Sequence, residues 1–195
     1  MGMPQAFQEV ILVDENDRVL GRMEKLEAHR MGRLHRAFSV MLYRRNPLSS
    51  TFEVLLQQRA FNKYHTGGLW ANTCCSHPEA EEEILKAAYR RLREEIFGSM
   101  ENATKRIHLK KIAEFTYRVD LDNGLIEHEF DHVFIGEYPE EVSSFNREEI
   151  AQMAWVSLDE LIKKMAIKPS STSRIYVPWL KEICLRTREY LDENV

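Results

Sequence analysis

The sequence predicts an α+β fold, a mixed or antiparallel β-sheet with helices packed on it. Three observations carry this. β-rich runs recur along the chain, at residues 8–14, 37–45, 53–59, 110–120 and 127–138. Asn123-Gly124, between the last two, is a strong two-residue hairpin signal. Ile84, Leu85, Ala88, Leu92 and Ile96 recur at intervals of three and four, the period of a helix with one buried face.

Taken in order, "QEVILVD" (8–14) reads as a strand and the polar "DENDR" stretch as a turn. Residues 37–45 ("AFSVMLYRR") form the next strand, stopped by "RNPLSS", and 53–59 ("EVLLQQR") its hairpin partner. A Gly-containing loop is expected over 62–78. The helix over 84–96 then exposes Glu, Lys and Arg and stops at Gly98. After the Asn-Gly hairpin, Ser157 and Glu160 make a capping box that starts a short helix. Beyond the polar loop "IKPSSTS" (167–173), Tyr176, Trp179, Leu180, Ile183, Cys184 and Leu191 place an apolar stripe on a C-terminal helix over about 174–192. No repeat, low-complexity tract or linker divides residues 1–195, so one domain is expected.

Composition narrows the partners. The 195 residues are 44% hydrophobic and 30% charged, with a net charge of −4. That gives no electrostatic footprint for nucleic acid or a membrane surface, so small molecules are the expected partners. Nothing in the sequence distinguishes a monomer from a dimer. The first residues lack a signal-peptide layout, and no apolar run reaches membrane-spanning length. Three cysteines, two of them adjacent, make a poor disulfide framework and fit a reducing cytoplasm.

The residues able to do chemistry cluster by type. His29 and His35 precede a strand, and His77 closes "NTCCSHP". Glu127 and Glu129, two apart on a predicted strand, share a face. Three imidazoles and two carboxylates suit Mn, Fe, Zn or Mg rather than a thiolate-selective ion. Spacing alone equally permits solvated or hydrogen-bonded side chains. Lys25, Arg59, Lys63 and Arg91 come from four segments. Converged, they would hold a phosphate or diphosphate; scattered, they are surface charges. His65, His108, His128 and His132 are read as surface or structural.

A third pattern runs from Ser76 through Glu82 and Arg90 to "RLREE". It resembles the Nudix box, Gly-x5-Glu-x7-Arg-Glu-apolar-x-Glu-Glu-x-Gly, with Glu82, Arg90, Leu92, Glu94 and Glu95 in register. Ser76 replaces the first Gly, Arg91 a Glu and Phe97 the last Gly, so as a hydrolase box it is damaged. "MEKLEAHRMGRLHRAFSVMLY", "LLQQRAFNKYHTGGLWANTCCSHP", "FTYR", "IEHEFDHVF" and "VPW" together resemble type I isopentenyl-diphosphate isomerases, a branch of the Nudix superfamily. The likeness runs in order over most of the chain.

The resemblance implies a Nudix fold, an α/β/α sandwich whose C-terminal helix covers the site. It implies that isopentenyl diphosphate is converted to dimethylallyl diphosphate through a carbocation-like intermediate. By position, Cys75, Glu129 and Tyr117 match catalytic residues. His29, His35, His77, Glu127 and Glu129 match the ligands of a divalent metal (Mn, Mg or Zn). Glu95 matches a residue holding a second Mg²⁺ with the substrate diphosphate. Lys25, Arg59, Lys63 and Arg91 match diphosphate-binding positions, and Trp179 the tryptophan beside the reacting carbons. Cys74 is implied to be a packing residue. The competing expectation is a Nudix hydrolase acting on a nucleoside or isoprenoid diphosphate, and a more distant one is a metal-dependent binding module without catalysis.

Overall fold

The computed structural model describes residues 8–98, 101–167 and 175–195, without the side chains of 101–103. Strands β1 (Glu9–Val13) and β2 (Val19–Glu24) form a hairpin. Its turn is held by the Asp14 carboxylate, which accepts the N–H groups of Asn16 and Arg18. Helix α1 (Lys25–Met31) follows at once. The Glu24 side chain caps it, accepting from the N–H groups of Leu26 and Glu27. It ends at Gly32 in a left-handed conformation, φ 59°, where a Cβ would stand 2.8 Å from Arg118 Nη1.

Strand β3 (His35–Arg45) is the axis of the molecule. At its far end it pairs antiparallel with β4 (Phe52–Arg59), the expected hairpin. The segment expected to be a loop instead holds two short strands, β5 (Trp70–Ala71) and β6 (Cys74–Ser76), and β6 pairs antiparallel with the first half of β3. Asn72 and Thr73 make this possible. Buried Asn72 donates to the carbonyls of Val40 and Cys74, while the Thr73 hydroxyl donates to Leu55 O and accepts from Leu42 N–H. These bonds satisfy main-chain groups where β3, β4 and β6 diverge.

On the other side β3 runs parallel to β8 (Ile126–Glu137), which forms the Asn-Gly hairpin with β7 (Lys110–Asp120). β9 (Ile150–Ser157) pairs with β4 and completes a mixed sheet. Its residues were not predicted as a strand.

Alternation along β3 divides the core in two. Phe38, Val40 and Leu42 face helix α2 (Ile84–Leu92), meeting Ala88 and Leu92. This helix continues as a π-helical turn, Arg93–Phe97, before Gly98. Phe97, where the box would have Gly, is buried edge-on against Tyr138 with ring centroids 5.1 Å apart. Helix α3 (Glu101–Arg106) leads into β7. Met41 and Tyr43 face helices α4 (Leu158–Ala166) and α5 (Leu180–Asn194). The α4 start is capped as expected, Ser157 Oγ accepting from Glu160 N–H at 3.4 Å.

The C-terminal helix differs from its expectation. Residue 174 and residues 168–173 of the polar loop lie outside the described residues. Tyr176 is not helical: it bridges Trp70, with Trp70 N–H donating to Ile175 O and Val177 N–H to Trp70 O. Pro178 then prepares the turn into the helix, having no N–H to satisfy and a φ close to the helical value. No described helix is long and apolar enough to cross a membrane.

Candidate active site and metal centre

The strand ladders put the predicted residues on one face. Residues opposite each other in a ladder share a face, and every second residue along a strand returns to it. Ser39 lies opposite Cys75, His35 opposite Glu129, and Tyr117 opposite Glu129. Cys75, His77, His35, Ser39, Glu127, Glu129 and Tyr117 therefore all project on the α5 side of the sheet. Cys74 points the other way, fully buried beside Leu92 and Phe38. The adjacent cysteines thus occupy different chemical environments because a strand alternates.

His29, from α1, joins His35, His77 and Glu129 in a buried cluster whose donor atoms all lie within 4.8 Å of one another. Glu127 enters through His29, with Oε2 3.5 Å from Nε2. His29 and His35 each direct Nδ1 at a main-chain carbonyl, Lys25 O at 2.7 Å and Arg33 O at 2.8 Å. A carbonyl only accepts, so these Nδ1 atoms carry protons, and in the neutral ring each Nε2 presents a lone pair. Those lone pairs face carboxylate oxygens, and His35 Nε2 is also 3.2 Å from His77 Nε2. His29 Nε2 and His77 Nδ1 are buried without a hydrogen-bond partner.

Electron pairs concentrated in this way call for a cation. Nitrogen and oxygen donors bind one at about 2.0 to 2.2 Å, which sets opposite donors about 4.0 to 4.4 Å apart. The cluster needs little closing to reach that spacing, so the donor set fits a divalent ion. Burial works against protonation of His29, but Glu127 outweighs it and raises the imidazole above its ordinary value. Burial and the Lys25 ammonium push His77 down to about 3, leaving its ring neutral.

Beside this cluster lies a cleft of about 460 Å³. Lys25, Arg59, Lys63 and Arg91 all line it, with Cys75 and Glu95 on its wall. Arg59 Nε and Arg91 Nε are buried donors without an acceptor, which an anion would satisfy. Arg91 is paired with buried Glu95 at 2.5 Å, and Lys63 with Glu149. Glu95, Glu148 and Glu149 give the cleft hard oxygen donors of the type that holds Mg²⁺.

The cleft loop is built closely. Gly68 adopts φ 76°, and a Cβ on Gly67 would stand 2.8 Å from Phe61 O. The Asn123 side chain donates to Tyr64 O and ties this loop to the hairpin turn.

Tyr117 donates to Glu129 Oε2 at 2.5 Å, and Trp179 stacks on the Tyr117 ring at 5.6 Å. Trp179 thus stands over the Glu129 side of the site, not in the cationic cleft. Cys75 Sγ is 3.7 Å from Arg59 Nη1. Burial raises the Cys75 thiol to about 12 despite that guanidinium, so at neutral pH it is a thiol.

Three groups at the site escaped sequence reading. Ser39 donates at 2.7 Å to Asp131, a buried carboxyl raised to about 8 by burial and the charge of Glu129. Asp131 was legible in principle, since it continues the 127, 129 alternation. His65, read as surface or structural, is buried 3.0 Å from Glu127. It had no motif to flag it. His132 is buried between Asp17 and Glu114, a structural role.

Comparison with known proteins follows the same lines. The NUDIX domain model matches residues 33–180. The chain is similar to the isopentenyl-diphosphate Delta-isomerase of Pectobacterium atrosepticum, at 44% identity over 93% of this chain and 92% of that protein. It is likewise similar to the isopentenyl-diphosphate Delta-isomerase of Photobacterium profundum, at 44% identity over 90% and 92% of the two chains. Among solved structures, the Deinococcus radiodurans protein DR0079 shares the fold, with a TM-score of 0.68 at 19% identity over 92% of this chain and 98% of that one.

Proposed function

The chain belongs to the isopentenyl-diphosphate Delta-isomerase family of NUDIX-domain proteins, and from that premise we propose that it converts isopentenyl diphosphate to dimethylallyl diphosphate. The observation that carries the proposal is the common sheet face of Cys75 and Glu129, beside a cleft lined by four cationic side chains.

An unactivated alkene must gain a proton at one carbon and lose one from another. Proton-transfer groups on opposite sides of the substrate meet that need. We assign Cys75 to one side and Glu129 to the other. Tyr117, hydrogen-bonded to Glu129, orients that carboxyl and relays its proton. The carbocation formed between the two transfers would be captured by water, so the site must be closed and dry. Trp179, the N-cap residue of α5 stacked on Tyr117, excludes water, and its π face stabilises positive charge by about 0.5 to 2 kcal/mol. Helix α5 is read as the cover of a single catalytic unit spanning the chain.

Lys25, Arg59, Lys63 and Arg91 bind the diphosphate, supplying binding energy remote from the reacting carbons. His29, His35, His77, Glu127 and Glu129 would hold a divalent ion, which makes the conjugate acid of Glu129 stronger. Glu95 would hold Mg²⁺ accompanying the diphosphate. Three free thiols suit the reducing cytoplasm as the place of action.

Hydrolysis fits less well. Arg91 stands where the box has a Glu, and Glu82 and Glu94 are engaged with Arg90 and Arg91. The test is incubation with isopentenyl diphosphate and Mg²⁺ in deuterated water. Deuterium-labelled dimethylallyl diphosphate is expected; phosphate release without isomer would overturn the proposal.

A further inference from the structure

Glu127 has an inner and an outer oxygen. Oε2 faces His29 Nε2 at 3.5 Å, toward the cluster of imidazoles. Oε1 is buried without a hydrogen-bond partner, and Nδ1 of His65 stands 3.0 Å from it, at ion-pair distance. The His65 ring stacks on His29, with centroids 5.5 Å apart and planes at 29°. The same nitrogen is 3.1 Å from the Thr66 hydroxyl. His65 does not belong to the set formed by His29, His35, His77 and Glu129. With His29 and Glu127 it forms a second, adjoining group whose donor atoms lie within 4.8 Å of one another. A neutral imidazole whose Nδ1 meets a carboxylate oxygen carries its proton there, because a carboxylate only accepts.

We propose that His65 is a positioning residue of the metal centre: its Nδ1, 3.0 Å from the outer oxygen of Glu127, turns its N–H onto that oxygen when a cation draws the inner one, and so keeps the inner oxygen aimed at the cation. This rests on the reading that the His/Glu cluster binds a divalent ion. A carboxylate ligand free to rotate loses part of its grip, and removal of such an orienting partner typically costs 10- to 100-fold in metal affinity.

The experiment titrates Mn²⁺ into the metal-stripped full-length chain and follows free hydrated Mn²⁺ by electron paramagnetic resonance. Wild type is compared with His65→Ala, His65→Asn and His77→Ala, with folding checked by circular dichroism. His65→Ala is expected to weaken Mn²⁺ binding about 10- to 100-fold. His65→Asn, whose amide N–H can stand near the Nδ1 position, is expected to retain most of the affinity.

Unchanged affinity in His65→Ala overturns the proposal. Equal loss in His65→Ala and His65→Asn overturns it in favour of direct ligation. Should His65→Ala not fold, the Asn variant decides alone, and a tenfold or greater loss there is the overturning result. A wild type that binds no Mn²⁺, or a His77→Ala variant that binds it as wild type does, removes the underlying metal reading instead.

Discussion

Cys74 and Cys75 differ by one peptide bond, and strand geometry turns them to opposite faces of the sheet. Cys74 sits in the α2 core, where a shorter side chain leaves a small void. Cys75 reaches the cleft beside Arg59. Cys75→Ala is therefore expected to lower turnover by several orders of magnitude while leaving the melting temperature nearly unchanged, because the thiol is asked to carry one of two proton transfers. Cys74→Ala should do the reverse. Losing one buried sulfur costs about 1 kcal/mol of stability and leaves kcat near wild type. Steady-state kinetics and thermal melts on both variants check the pair. Severe loss of turnover in folded Cys74→Ala would show the wrong thiol was assigned.

At the scale of elements, the remnant of the Nudix box has a mechanical role. The Arg90 guanidinium grips the Glu82 carboxylate through two contacts of 2.8 Å, joining the loop before α2 to the helix body. Arg90 and the N–H of Glu79 hold the Glu82 carboxyl below the usual carboxylate range against a smaller opposing effect of burial. A depressed folded-state value contributes stability that is present above the ordinary carboxylate value of about 4.3 and is lost as pH falls through the folded value. Glu82→Gln is thus expected to cost about 1 to 3 kcal/mol at pH 7. The gap to wild type should shrink as pH drops from 5 toward 3. Denaturant unfolding across that range measures it, and a gap that widens on acidification would remove the clamp.

Elements with strong local signals were legible: the amphipathic α2, the Asn-Gly hairpin and the Ser157 cap. Those missed owe their existence to partners distant in the chain. β6 is three residues long and forms only because β3 accepts it, while α1 is capped by Glu24, a residue type that rarely signals a helix start. The site followed the same rule. Residues embedded in motifs, such as Cys75 and Glu129, could be named from sequence, but His65 could not, since only the fold brings it against Glu127.

At the scale of the molecule, the metal cluster draws its side chains from four segments of the chain. His29 comes from α1, His35 from β3, His77 from the residue after β6, and Glu127 and Glu129 from β8. Without a cation, two carboxylates and bare imidazole nitrogens are confined in a buried space, and their repulsion opposes closure of the sheet end around them. A cation binding the folded chain and not the unfolded one stabilises it by about 2.7 kcal/mol when free metal is 100-fold above its Kd. For a domain of this length each kcal/mol moves the melting temperature by roughly 2 to 4 °C. Excess chelator should therefore lower it by roughly 5 to 11 °C, and re-addition of Mn²⁺ should restore it. In a His29→Ala, His77→Ala double variant the chelator should have little further effect, because the site it empties is already lost. Differential scanning calorimetry with and without EDTA decides the matter, and a melting temperature indifferent to EDTA in wild type would mean that these five side chains are reconciled by protons alone.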